Sequence, residues 1–242
     1  MTPRHPPQSA PPDLPSRILH RDSHVIILNK PAGLPVHRGP SGGPNLEDML
    51  HVLRFGLPQP PGLAHRLDRD TSGCLVLGRH RRALSRLGRL FSAGLVEKTY
   101  WAVVEGMPPQ PQGRIELALH KEVHRTGWRI VADPAGQRAV TDWRVLAAAA
   151  GLSLLELHPR TGRTHQIRVH CAELGCPLLG DAAYGATASG EPLHLHARAV
   201  AFPYAEGRPP IAATAPLPPR MAETVRRLGL VIAADPDART DP

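Results

Sequence analysis

From residue 24 onward, short β-branched runs alternate with stripes at helical spacing. Residues 24–30 (HVIILNK) form an apolar run stopped by Pro31 and Gly33, which predicts a strand running into a turn. Leu46, Met49, Leu50 and Leu53 recur at helical spacing behind Asn45, a residue suited to capping. Residues 74–78 (CLVLG) read as a buried strand opening directly after Thr71-Ser72-Gly73. Between 80 and 92, Leu84, Leu87, Leu90 and Phe91 share one stripe while Arg81, Arg82, Arg86 and Arg89 lie elsewhere, the pattern of an amphipathic helix with a basic outer face. Residues 99–104, 114–119, 139–146 and 152–158 predict strands, the last two a hairpin through 147–151. A helix follows over 164–174, with Thr164 as its cap and Gly175 as its terminating glycine. An alternating strand over 193–202 and a short helix over 220–228 complete the series. Strands follow one another without regular βαβ alternation, so the expected class is α+β around a mostly antiparallel or mixed sheet with flanking helices.

The ends of the chain lack this patterning. Residues 1–17 are polar and proline-rich, and 233–242 show no periodicity, so both are expected to be flexible tails around one domain over 18–232. No apolar run approaches the roughly 18 residues of a membrane helix, and no signal-peptide stretch is visible. Three cysteines cannot form a paired framework, which points to a reducing cytoplasm. Membrane proteins, collagens and disulfide-stapled toxins are thereby excluded. Lys plus Arg number 29 against 21 Asp plus Glu, a net charge of +8. The predominance of Arg over Lys fits a GC-rich coding bias; the net sign does not, and suits a polyanionic partner.

Two segments concentrate polar groups. Ala64-His-Arg-Leu-Asp-Arg-Asp-Thr-Ser-Gly73 lies between a Pro/Gly-rich loop and a strand, where reactive groups are often held. Asp68 and Asp70 are candidate acid/base groups there, and Arg66 and Arg69 candidate phosphate contacts, although the same residue types also form ordinary turns. Thr161-Gly-Arg-Thr-His-Gln-Ile-Arg-Val-His170 feeds a helix N-terminus suited to an anion, with His165 and Arg168 sharing a face. A metal is the weaker reading. His194 and His196 fall on one strand face, and His165 and His170 are five apart, but neither HExxH nor CxxC occurs. Phosphate-cradling GxGxxG and GxxxxGK[ST] loops and a GxSxG elbow are missing too.

Taken together, these segments resemble the RluA-type RNA pseudouridine synthase family. His65-Arg-Leu-Asp-Arg-Asp-Thr-Ser-Gly73 is similar to its HRLDxxTSG signature, and four further segments agree in order: Asn29–Gly33, Glu97–Tyr100, Thr161–His170 with Gly175–Asp181, and Leu195–Ala197. The likeness spans about residues 18–218. It implies cofactor-free isomerisation of uridine to pseudouridine in RNA, no metal, and a fold with a central, largely antiparallel sheet crossed by the active-site cleft. By position, Asp68 matches the catalytic aspartate, Tyr100 the aromatic that stacks on the target base, and Arg168 the basic residue paired with the aspartate. Arg66 matches the arginine that fills the space left by the flipped-out nucleotide. His65, Arg163 and His165 are expected substrate contacts, and His194 and Asp181 are expected to be structural. Certain relatives carry an extra N-terminal RNA-binding domain, whereas here only about 17 residues precede the domain. RNA selection is therefore expected to rest on basic surfaces such as the 79–89 helix. The expected partner is a transfer or ribosomal RNA, and the expected state a monomer. A noncatalytic RNA-binding protein and a histidine-metal hydrolase are the competing readings.

Overall fold

The computed structural model describes residues 12–39, 42–125, 127–185 and 190–229. Among these residues eleven strands build one sheet: β1 (Ile18–Arg21), β2 (Val25–Lys30), β3 (Gly62–Leu63), β4 (Ser72–Gly78), β5 (Glu97–Glu105), β6 (Gln112–His124), β7 (Gly127–Ala132), β8 (Gln137–Ala149), β9 (Leu152–Pro159), β10 (Leu195–Phe202) and β11 (Ile211–Thr214). Among the described residues, four α-helices accompany it: α1 (Leu46–Met49), α2 (Arg81–Ser92), α3 (Gln166–Glu173) and α4 (Pro219–Arg227). The order across the sheet is β1-β2-β4-β10-β5-β9-β8-β6-β7, with β3 on β4 and β11 on β10. The expected α+β class is thus observed, with a mixed sheet. Among the described residues, β4 and β10 make the only parallel pair, Ser72 facing His196 and Gly73 facing Ala197.

That junction organises the molecule, because β4 leaves the Asp68 loop and β5, beside β10, carries Tyr100. Gly73 is required there: its φ is +105°, and a side chain would collide with the Ala197 backbone. In β2 and β4, alternate residues are buried on opposite faces. Ile26, Leu28, Leu75 and Leu77 pack with Leu46, Leu50 and Leu67, whereas Val25, Ile27, Cys74 and Val76 pack with Leu87 of α2. Each fully buried aliphatic side chain contributes roughly 1.5–3 kcal/mol, so the loop preceding β4 is rooted in the core through Leu67. On the other side of the junction, Ala102, Val104, Leu155 and Leu157 pack against Ile167 and Cys171 of α3. Tyr100 touches both clusters and lies at their seam.

Several local expectations need correction. The helix expected over 45–53 is α only to Met49 and continues as a 3-10 turn, Leu50–Leu53, although Asn45 does cap it by accepting from Asp48 N. Thr164 is not the cap of α3. His165 occupies that position with φ 52°, no side-chain cap forms, and the helix begins at Gln166. Part of the segment expected as a flexible tail is built into the fold: Leu14 is buried in the core and Pro15–Arg17 form a 3-10 turn. Residues 1–11 and the tail expected over 233–242 lie outside the described residues. Strands β1, β3, β7 and β11 are additions. β7 is exposed along most of its length, so it lacks the apolar signature of a core strand. Helix α2 matches its expected form, its four arginines exposed and His80 capping it by accepting from Ala83 N at 3.2 Å. Among the described residues no helix is long and apolar enough to cross a membrane.

Candidate active site

The Asp68 loop is fixed by backbone bonds and one buried lysine. Leu67 is inserted in the core, and Thr71 N donates to Asp68 O at 3.2 Å to close the turn. Lys30, fully buried at the end of β2, donates through Nζ to Pro31 O, Leu34 O and Arg69 O at 2.8–2.9 Å. Gly33 N adds a second bond to Arg69 O at 2.9 Å. The turn after β2 and the Asp68 loop are thus tied to one ammonium. Burial pulls the Lys30 pKa down to about 7, against the opposing charges of Asp70 and Asp68.

The second wall is the 161–165 turn and α3, wired by Gln166. Its Oε1 accepts from Thr161 Oγ1 (2.7 Å) and Arg163 N (3.0 Å), and its Nε2 donates to Val140 O and Thr141 Oγ1. Lys98 Nζ donates to Thr161 O at 3.0 Å from β5. These bonds replace the missing Thr164 cap.

Between the walls lies a cavity of about 100 Å³ lined by Arg66, Asp68, Tyr100, Arg163, His165 and Arg168, among others. It is smaller than the apolar cavity of about 150 Å³ that encloses a benzene ring, and it is open on one side. Six of the seven expected site residues line it, and they come from three separate segments: the Asp68 loop, β5 and the α3 entry. Tyr100 forms one side, and burial, with the charges of Asp68 and Cys74, pushes its phenol upward, so it stays neutral. Arg66 is exposed, and its guanidinium has no hydrogen-bond or ion-pair partner among the described residues.

One expected pairing is not observed. Arg168 does not pair with Asp68; its fork closes on Asp181, Nε to Oδ2 at 2.8 Å and Nη2 to Oδ1 at 2.6 Å. Asp181 is fully buried in its side chain and Arg168 is 12% exposed, so each needs the other's charge where solvent cannot supply one. Asp181 also accepts from Ala183 N and Tyr184 N, which anchors it to the turn after α3. Asp181, expected as a hydrogen-bonding or turn residue beside the cleft, has Arg168 as its side-chain partner. The third guanidinium nitrogen, Nη1, lies 3.2 Å from His165 Nε2. Since Arg168 can only donate, that nitrogen is the acceptor, and Nδ1–H of His165 donates to Tyr184 Oη at 2.8 Å. Burial, together with Arg168 and Arg66, outweighs the carboxylates and lowers the His165 pKa. Its 3.9 Å approach to Asp68 is therefore a contact with a neutral ring.

His65 lines the neighbouring groove rather than this cavity. Its Nε2 accepts from Val76 N at 3.0 Å and its ring stacks on Phe91, while burial and Lys98 push its pKa down to about 3. One face of this expected substrate contact is thus committed to the fold. The histidines considered for a metal are likewise engaged by protein groups: His194 by Pro192 O and Thr224, His196 by Ser72 and Ala215 O, His170 by Thr141. Among the described residues no three His, Cys, Asp or Glu side chains gather as a metal site. Sequence reasoning missed Lys30, Gln166, Tyr184 and the tie made by Asp181. For Lys30, Gln166 and Asp181 the available signal was their place inside the matched segments.

Known proteins share both sequence and fold with this chain. A family model described as RNA pseudouridylate synthase matches residues 24–173. An uncharacterized RNA pseudouridine synthase of Zymomonas mobilis is 47% identical over 211 residues, covering 86% of this chain and 96% of its own length. Ribosomal large subunit pseudouridine synthase D of the same organism is 37% identical over 190 residues, covering 74% of this chain and 59% of its own length. Among solved structures, human RNA pseudouridylate synthase domain containing 4 has a TM-score of 0.78 at 30% identity, covering 90% of this chain and 95% of that one.

Proposed function

The chain belongs to the RNA pseudouridylate synthase family and is an isomerase of that kind, and we propose that it converts selected uridines of a structured transfer or ribosomal RNA to pseudouridine without a cofactor. The observation that carries this reading is the convergence of Asp68, Tyr100 and Arg168 on one open cavity, with Arg168 held by buried Asp181. A uridine reaches such a cavity only by leaving its stack, at a cost of a few kcal/mol. Stacking on Tyr100 offsets about 1–3 kcal/mol of that, and Arg66, exposed at the mouth, fills the vacated space.

Asp68 then acts in one of two ways, as nucleophile at C1′ or as base at the 2′ carbon, and both use its carboxylate form. The C1′–N1 bond breaks, the uracil turns in place, C5 bonds to C1′, and the C5 proton leaves. No oxidation state changes and no fragment departs, so nicotinamide, metal and ATP have no part in the balance. Arg168, held by Asp181, presents fixed positive charge to the cavity while the glycosidic bond is broken. Residues Arg163 and His165 line the same cavity and contact the bound nucleotide. We place the protein in the cytoplasm as a monomer; its three described cysteines are free and buried, as suits a reducing compartment.

The test is tritium release from transfer and ribosomal RNA labelled at uracil C5, in chelator-treated buffer. Release that persists with chelator supports the reaction and its independence of metal. Release abolished by chelator contradicts the cofactor-free mechanism, and no release from either RNA contradicts the substrate assignment.

A further inference from the structure

Strands β6 and β7 form a hairpin whose inner face begins in the core and ends in solvent. Leu119 and Ile130 are buried at its base, while Val123 and Trp128, directly paired across the two strands, are 76% and 47% exposed. Trp128 thus presents half of its surface to solvent at the edge of the site. Beside Trp128 runs a groove of about 530 Å³, lined by Arg66, His120, Lys121, Trp128 and Arg163 among others, with no carboxylate among its described lining residues. Arg66 and Arg163 also line the Asp68 cavity, so the two spaces share a wall. The Trp128 ring lies 5.1 Å from that of His165, whose Nε2 is 3.9 Å from Asp68.

On the reading of the Asp68 cavity as a uridine site, we infer that this groove is a second nucleotide subsite, in which an unpaired RNA base flanking the target stacks on Trp128. Charge selects the occupant: four basic or histidine side chains and an aromatic face, without acidic groups, suit a base with its phosphate rather than an apolar peptide. Lys121 Nζ now stands 4.8 Å over the Trp128 ring. An arriving phosphate draws this exposed ammonium to itself and leaves the ring to the base.

The experiment titrates a fluorescein-labelled oligouridylate of about eight nucleotides with the full chain and reads its anisotropy, for wild type, Trp128→Phe and Trp128→Ala, with tryptophan emission recorded for the wild type, followed by tritium release on RNA. Wild-type emission is expected to quench on binding. Trp128→Ala should raise Kd by about 5- to 150-fold, the range of one lost base stack. The phenylalanine variant, which keeps a stacking face, should recover most of the affinity, and the loss in kcat/KM should fall mainly on KM. Thermal melting separates this from unfolding, which is not expected at a half-exposed position. An alanine variant that binds within twofold of wild type overturns the subsite while wild-type turnover leaves the uridine-site reading standing. Failure of the phenylalanine variant to recover affinity also overturns it. Absence of both binding and turnover in the wild type overturns the two readings together.

Discussion

Asp181→Asn removes one charge from the buried pair and changes little in shape. In the wild type, Asp181 Oδ1 takes Ala183 N, Tyr184 N and Arg168 Nη2, and Oδ2 takes Arg168 Nε at 2.8 Å. An asparagine that keeps its oxygen on the two backbone amides must turn its NH₂ toward Arg168 Nε, donor against donor. Breaking one partner of a buried pair costs about 3–5 kcal/mol. For a chain of this size each kcal/mol moves Tm by about 2–4 °C, so the melting point should fall by about 6 °C or more. Below that temperature turnover should fall by about 10²-fold, the usual effect of misplacing a group by an ångström. The double replacement Asp181→Leu with Arg168→Met should restore part of the stability and none of the activity, because two apolar groups leave no unpaired charge. Differential scanning calorimetry together with single-turnover kinetics reads both variants against the wild type. An Asp181→Asn protein with unchanged Tm and unchanged turnover would refute the assignment of Arg168's position to Asp181.

Further outcomes follow from other parts of the molecule. Lys30→Met leaves Pro31 O and Leu34 O without their donor and Arg69 O with Gly33 N alone; urea denaturation should show a loss of at least about 2 kcal/mol, and turnover should fall as the Asp68 loop loosens. His170 and His196 are fully buried, and burial holds each near pKa 4. Depressed histidine pKa values make the neutral form part of the fold, so stability is complete above the unfolded value near 6.5 and is lost as pH falls from there toward 4. Between pH 7.5 and 5.5 the pair should lose roughly 2.5 kcal/mol, measured by urea denaturation at each pH; a flat profile would contradict their burial as neutral rings. Reversal of Arg82, Arg86 and Arg89 to Glu on exposed α2 should weaken RNA binding and flatten its salt dependence; unchanged affinity in a filter-binding assay would remove that helix from RNA selection.

Much of this was legible in the sequence where local chemistry decides structure. The runs at β2 and β4, the arginine-flanked stripe of α2 and the hairpin of β8 and β9 announce themselves by period, because each buries a defined face. Asp68, Tyr100, Arg66, Arg163, His165 and Arg168 come to one cavity, as the matched segments implied. What escaped depends on contacts distant along the chain. Thr164 has the right side chain for a cap, but Gln166 satisfies the turn through Thr161 and Val140, which no local pattern reveals. Asp181 resembles any turn aspartate until α3 folds back and sets Arg168 against it. β7 escaped because a strand exposed on most of its length carries no alternating apolar code.

The most direct test of the central claim compares wild type with Asp68→Asn on one RNA, measuring tritium release from uracil C5 and RNA affinity side by side. The account predicts no detectable release from the variant and affinity within about threefold of wild type, since the near-isosteric amide removes the reacting carboxylate and no fold-forming ion pair. Wild-type release by Asp68→Asn would contradict it.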